Sequence, residues 1–289
     1  MGATIVVGLD GSSGSQQALG WAARLGARID ARVQPVLAWE YPALALLPFP
    51  AGVPVPPQEA MQADAEVRAQ GLVDSIGDAE DVDDVDITEP LVRQGSAGRV
   101  LCESAESADL LVLGSRGLGA VKGVLLGSVS AHCASAAPCP VALIPDLDDD
   151  APERELVVVG VDGSALSDAA VAWADDWAAE RARLLLVHVW DVPITMDAAA
   201  ANIDSEALEE ASKVLLEEAS KLVADHKVET LRIRGDARVE LGKLAQKADM
   251  VVIGARGHTL LERFLMGSVA SHSVHHLVAP TIIVRADAD

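Results

Sequence analysis

The chain has 289 residues, half of them hydrophobic, with 22 Lys plus Arg against 44 Asp plus Glu and a formal net charge of −22. That length accommodates about two ordinary domains, and an aromatic content of only 3% makes their cores aliphatic. So acidic a surface excludes nucleic acid and anionic membranes as expected partners, and no apolar stretch is long enough to span a bilayer. Cys102, Cys133 and Cys139 have no C-x-x-C spacing and read as reduced thiols. With no basic leader before Ile5-Val6-Val7, the expected location is the cytoplasm.

In chain order, Ile5-Val6-Val7-Gly8-Leu9 reads as a first strand, short and continuously apolar as a strand buried on both faces requires. Asp10-Gly11-Ser12 ends it and opens a helical run containing Trp21-Ala22-Ala23. Val36-Leu37-Ala38-Trp39 is a second strand. The stretch 41–57 carries six of the fourteen prolines and reads as an irregular apolar loop. The acidic run 78–86 reads as a solvated connection before the third strand. Leu110 to Leu113 form the fourth strand, Gly114-Ser115-Arg116-Gly117 a loop, and Gly127-Ser128-Val129-Ser130 the start of a helix. Val141-Ala142-Leu143-Ile144 is the fifth strand.

The chain then repeats itself. Asp162-Gly163-Ser164 returns Asp10-Gly11-Ser12 at an offset of 152, and Gly254-Ala255-Arg256-Gly257 with Gly267-Ser268-Val269 returns the second loop at an offset of 140. The twelve-residue difference is assigned to the Pro-rich stretch 41–57. Two domains are expected, 1–146 and 155–289, joined by an acidic linker 147–154. Each holds five strands alternating with four helices, an α/β arrangement whose sheet is open, parallel and covered by helices. In the second half, Leu208, Ala211, Leu215, Ala219 and Leu222 are spaced as one apolar helical stripe.

The repeated loop G-x-R-G, nine residues, G-S suits a phosphate. Glycines allow close backbone approach and positive φ. The first amides of the helix that follows have no intrahelical partner and sit at the positive end of its dipole. Ser128 and Ser130 supply hydroxyls, and Arg116 and Arg256 positive charge. In a doubly wound sheet such a site lies beyond the carboxyl ends of the strands, where strand order reverses. Gly117-Leu118-Gly119 imitates a dinucleotide fingerprint, but the second copy reads Gly257-His258-Thr259, so a NAD role is set aside. No Walker lysine motif and no nucleophile elbow occur. His272 and His276, with His275 nearby, read as packed or surface imidazoles ahead of a zinc site.

These motifs resemble the universal stress proteins, tandem-domain members of the ATP-binding branch, over essentially the whole chain outside the Pro-rich loop. The resemblance implies a Rossmann-like fold with strand order 3-2-1-4-5 in each domain, ATP, with Mg²⁺ possible, between strands 1 and 4, and domain pairing through the fifth strands. By position, it places Asp10 and Asp162 near the adenosine, with Gly11, Ser12, Gly163 and Ser164 beside them. Ala38 and Val189 flank the base. Gly114, Gly117, Gly127 and Ser128, with Gly254, Gly257, Gly267 and Ser268, hold ribose and phosphates, and Leu113, Val129, Ile253 and Val269 belong to the same nucleotide-binding sets. Ala270 departs from the pattern where the first copy has Ser130. The implied function is nucleotide-dependent regulation in stress or growth adaptation, through an unidentified protein partner, with a homodimer open. A slow ATPase or nucleotidyl or phosphoryl transferase, and a nucleotide-free interaction scaffold, stand as the alternatives.

Overall fold

The computed structural model describes residues 2–41, 57–76, 85–117, 126–146, 155–191, 205–256 and 267–285. Most of the Pro-rich stretch, most of the acidic run 78–86, the linker, Leu118, Gly119 and Gly257 to Thr259 lie outside them. The chain divides into two compact units, Met1–Asp146 and Leu147–Asp289.

The first unit runs β1 (Thr4–Leu9), α1 (Ser13–Ile29), β2 (Arg32–Trp39), α2 (Gln58–Asp74), β3 (Leu91–Gln94), α3 (Ala97–Ser104), β4 (Leu110–Gly114), α4 (Ser128–Ala136) and β5 (Val141–Ile144). Its parallel strands lie in the order β3-β2-β1-β4-β5. The second unit runs β6 (Leu156–Gly160), α5 (Ala165–Trp177), β7 (Arg183–Trp190), α6 (Ser205–Ser220), β8 (Lys227–Arg234), α7 (Ala237–Ala245), β9 (Met250–Gly254), α8 (Ser268–His275) and β10 (Thr281–Val284). Its parallel strands lie in the order β8-β7-β6-β9-β10. Each unit is thus an α/β fold of the expected 3-2-1-4-5 order.

The central strands are the continuously apolar ones. Val6 pairs with Leu111 and Val7 with Val112 across β1 and β4, and all four are buried; β-branched side chains pack well on a sheet covered on both faces. The outermost strand β8 instead alternates exposed and half-buried residues, the pattern of a strand with one wet face. Helices α1 and α5 begin by the same device. The Ser12 hydroxyl accepts the Ser15 N–H at 3.1 Å and the Ser164 hydroxyl accepts the Ser167 N–H at 3.2 Å, each satisfying one orphan donor of the first turn. At the far end of α1, Asp30 adopts φ 54° and returns its N–H to the Gly26 carbonyl.

Two expectations need correction. The residues of α6 that are buried are Ser212, Leu216 and Ala219, while Ala211 is exposed and Leu222 lies beyond the helix, also exposed. The helix is rotated because His188 on β7 offers Nδ1 to the Ser212 hydroxyl at 2.8 Å, so a polar residue occupies the inner face at little cost. The extra length of the first unit is also not confined to the Pro-rich stretch. The connection before α2 (40–57) is four residues longer than that before α6 (191–204). The connection after α2 (75–90) is ten residues longer than that after α6 (221–226).

The short connection 221–226 is fastened by a buried pair. Asp175, near the end of α5, accepts the Ala224 N–H at 2.7 Å and faces His226 Nδ1 at 2.9 Å. His226 Nε2 faces the Ala179 carbonyl at 3.0 Å; a carbonyl only accepts, so Nε2 carries the hydrogen there. Burial opposes ionisation of Asp175, but the donors from Ala224, His226 and Asp225 outweigh it and hold the carboxyl below its ordinary value. At the corresponding place the first unit has Ala23.

Candidate functional site

Because all strands of a unit are parallel, β1, β2 and β4 end on the same edge, and β1 and β4 are the neighbours at which the strand order reverses. Beyond that edge the first unit gathers Asp10-Gly11-Ser12, the loop after β4 and the start of α4. The second unit gathers the equivalents after β6 and β9 and at the start of α8.

Asp10 caps its own turn: its Oδ1 accepts the Ser12 N–H at 2.9 Å and the Ser12 hydroxyl at 2.6 Å. Asp162 Oδ1 accepts the Ser164 N–H at 3.0 Å. The glycine between them is the one that needs the left-handed region, with φ 87° at Gly11 and 78° at Gly163. Gly114, Gly117, Gly127, Gly254 and Gly267 do not adopt positive φ, which corrects one reason given for them. Gly114 is required by space: a Cβ there would lie 2.6 Å from the Gly14 backbone, where β4 passes under the first turn of α1. Gly254 is in the same position against Leu166, and a Cβ on Gly117 would strike the Asp10 carboxylate at 2.3 Å.

Gly127 is different. It caps α4 at φ −72° and ψ 153°, angles open to any residue, and no described side chain caps that helix. A Cβ there would meet its nearest described neighbours at 3.6 Å or more, an ordinary contact. Neither the backbone nor the packing of the described residues demands glycine at 127. Gly267 caps α8 in the same way, at φ −62° and ψ 161°, again without a side-chain bond. The two caps are held alike, Gly127 N–H to the Ser115 carbonyl and Gly267 N–H to the Ala255 carbonyl, each at 2.8 Å. At the mouth of each unit, therefore, a helix N-terminus with no cap among the described side chains begins at a glycine.

In the second unit these parts enclose one cleft of about 220 Å³. Asp162, Val189, Ile253, Gly254, Arg256, Gly267, Ser268 and Val269 all line it, so four separate segments of the expected set converge there. Gly163 and Ser164 do not line it; they make the turn and cap α5. Gly257 lies outside the described residues. The reading of the residues missed Gly160, Val161, Ser167 and Val187 as walls, and also Ala237 and Leu241 of α7. The last two had a signal, since Gly95-Ser96-Ala97 and Leu101 recur as Gly235-Asp236-Ala237 and Leu241 at the same offset of 140. Gly95 and Gly235 both take positive φ, and their N–H groups bond the Trp39 and Trp190 carbonyls at 2.9 Å, turning the chain into α3 and α7 beside the mouth.

Two polar side chains are engaged differently from expectation. The Arg116 guanidinium pairs with Asp146, within reach of the mouth but already neutralised. The Ser130 hydroxyl donates to the Gly114 carbonyl at 2.8 Å, tying α4 to the end of β4; Ala270 lines the second cleft without that tie. Ala38 is half-buried next to Trp39 at the end of β2, and Leu113 is buried at the end of β4. Ser128 is exposed and Val129 half-buried at the start of α4. The imidazoles of His272 and His276 stack at 4.1 Å, and no group of three or more His, Cys, Asp or Glu is placed to hold a metal among the described residues. No described helix is long and apolar enough to cross a membrane.

The profile of the Universal stress protein family matches residues 1–145 and again 153–285. A universal stress protein of Mycolicibacterium smegmatis is 32% identical over 97% of this chain and 96% of its own length. One of Mycobacterium tuberculosis is 29% identical over the same shares. The crystal structure of a universal stress protein from Archaeoglobus fulgidus superposes with a TM-score of 0.64 at 16% identity, covering 98% of both chains, a likeness of fold.

Proposed function

The chain belongs to the universal stress protein family as a tandem-domain member, and from that premise we propose that each unit binds one adenine nucleotide at the mouth between its first and fourth strands. The observation that carries the reading is the cleft of the second unit, where residues from β6, β7, β9 and α8 surround a helix N-terminus left uncapped by glycine. The geometry supports polyphosphate, which would accept N–H bonds from the first turns of α4 and α8 and hydroxyl donors from Ser128 and Ser268. The choice of adenine and of ATP rests on the resemblance of the motifs. Val189, and Ala38 by position, would flank the base.

The donor set also fits Mg²⁺ carried in with the phosphates, because a carboxylate, Asp10 or Asp162, stands at each mouth and Mg²⁺ typically takes one or two carboxylates plus phosphate oxygens. The metal would offset the repulsion between a polyanion and a chain of net charge −22. Arg256 adds a guanidinium to the second cleft. Binding is the proposed output: nucleotide orders the mouth and shifts the surface offered to a protein partner, to the extent that it binds one state better than the other. Pairing of the two domains within the chain, and further association into a homodimer, belong to the same proposal.

Isothermal titration of nucleotide-free protein with Mg·ATP tests this. Two sites per chain are expected, and phosphate assayed in the same sample reads any turnover. A flat titration at tens of micromolar protein favours the interaction scaffold, and phosphate release at many turnovers per minute favours the enzyme.

A further inference from the structure

The first unit contains a feature its copy lacks. Cys102 of α3 and Cys133 of α4 bring their sulfurs to 4.0 Å, and neither is in a disulfide. At the offset of 140 the second unit has Gly242 and Ser273 in their places. The two helices cross closely here. Gly98, one turn before Cys102, accepts from the Cys133 thiol at 3.9 Å, and a Cβ on Gly98 would lie 2.6 Å from the His132 ring. With backbone this near its neighbour helix, the sulfurs have about 2 Å to close to reach a bond of about 2.05 Å.

We infer that Cys102 and Cys133 are a redox-active dithiol that hydrogen peroxide converts to a disulfide joining α3 to α4. The half-exposed Cys102 is the sulfur that peroxide reaches, while Cys133 and Cys139 are buried. Cys102 attacks the O–O bond, takes one oxygen as sulfenic acid and releases water. The Cys133 sulfur then displaces that oxygen, which leaves as a second water with the thiol proton, and the S–S bond forms. Two thiols lose two electrons and two protons in all, and one peroxide becomes two waters. Its hydrogen bond with Cys102, and then burial, push the Cys133 thiol well above its ordinary value, while burial pushes Cys139 up to about 12. Burial keeps Cys133 from the peroxide, so its thiol is left to resolve the sulfenic acid on Cys102.

The crosslink has a consequence for the mouth. In the second unit α7 and α8 supply Ala237, Leu241, Ser268 and Val269 to the cleft; α3 and α4 are their equivalents. A disulfide between α3 and α4 fixes two walls of the first mouth and leaves the second untouched. Any resulting change in nucleotide affinity rests on the reading proposed above, whereas formation of the disulfide does not.

The test uses the full chain exposed to hydrogen peroxide, followed by alkylation and peptide mapping. Free thiols should fall from three per chain to one, with a dithiothreitol-reversible peptide linking Cys102 to Cys133. Dimedone added early should label Cys102. Cys139→Ser should leave the linkage intact, and Cys102→Ser should abolish it. Amide exchange should slow several-fold in α3 and α4 of the oxidised protein and stay unchanged in α7 and α8. Accumulation of Cys102 sulfinic acid with Cys133 still free, a linkage through Cys139, or a disulfide between chains each overturns the inference. Nucleotide titration of the oxidised protein is a separate readout, so loss of one proposal leaves the other standing.

Discussion

Asp175→Ala should destabilise the second unit by about 2–3 kcal/mol, the cost of leaving buried hydrogen-bond donors without their carboxylate acceptor. Asp175 and His226 have side chains only 7% and 5% exposed. Without the carboxylate, the N–H of Ala224 and the His226 ring lose their acceptor in a place water does not reach. The first unit has Ala23 at the corresponding place, and sixteen residues (75–90) connect its second helix to its third strand, against six (221–226) in the second unit. A tight connection exposes its amides to the sheet edge and must be fastened. The stacked rings of Trp173 and Trp177, 5.2 Å apart on the same helix, give a local spectroscopic signal to follow in urea. The sign of the pH dependence follows from the depressed carboxyl: its contribution is complete above the ordinary value of 3.8 and is lost as pH falls through the lower folded value. Asp175→Asn should remove that acid limb. A change below about 1 kcal/mol for the alanine variant would mean that the pair is incidental.

The double variant Gly127→Ser, Gly267→Ser should keep or slightly raise stability while weakening Mg·ATP binding at least tenfold, about 1.4 kcal/mol per site. Both positions already have the backbone angles of an N-cap, and serine is a marginally better cap than glycine, by a few tenths of a kcal/mol. Its hydroxyl would accept the N–H of the second or third helical residue, as Ser12 and Ser164 do in α1 and α5. It would thus occupy the donors proposed for the phosphates. Fold and binding are thereby separated, which substitution at Gly114 cannot do because a Cβ there collides with Gly14. Wild-type affinity in this variant would place the ligand elsewhere.

What could be read in advance followed from periodicity and repetition. Continuous apolar runs such as Leu110 to Leu113 identified the central strands, and the doubled spacing identified the mouths. The glycines were legible as positions but not as causes: Gly11 bends the chain, Gly114 makes room for α1, and Gly127 meets no demand from the described residues around it. The phase of α6 was misread because the partner that lets Ser212 turn inward, His188, lies on another element 24 residues away. Arg116 meeting Asp146 and Cys102 meeting Cys133, 30 and 31 residues apart, are likewise products of tertiary packing, to which local pattern is blind.

The most direct measurement is a crystal structure of the full chain grown with excess Mg·ATP. Phosphate density within hydrogen-bonding distance of the amides of residues 128–130 and 268–270, one nucleotide per unit, is the predicted result. Open helix ends in both units, with the nucleotide bound elsewhere or absent, would contradict it.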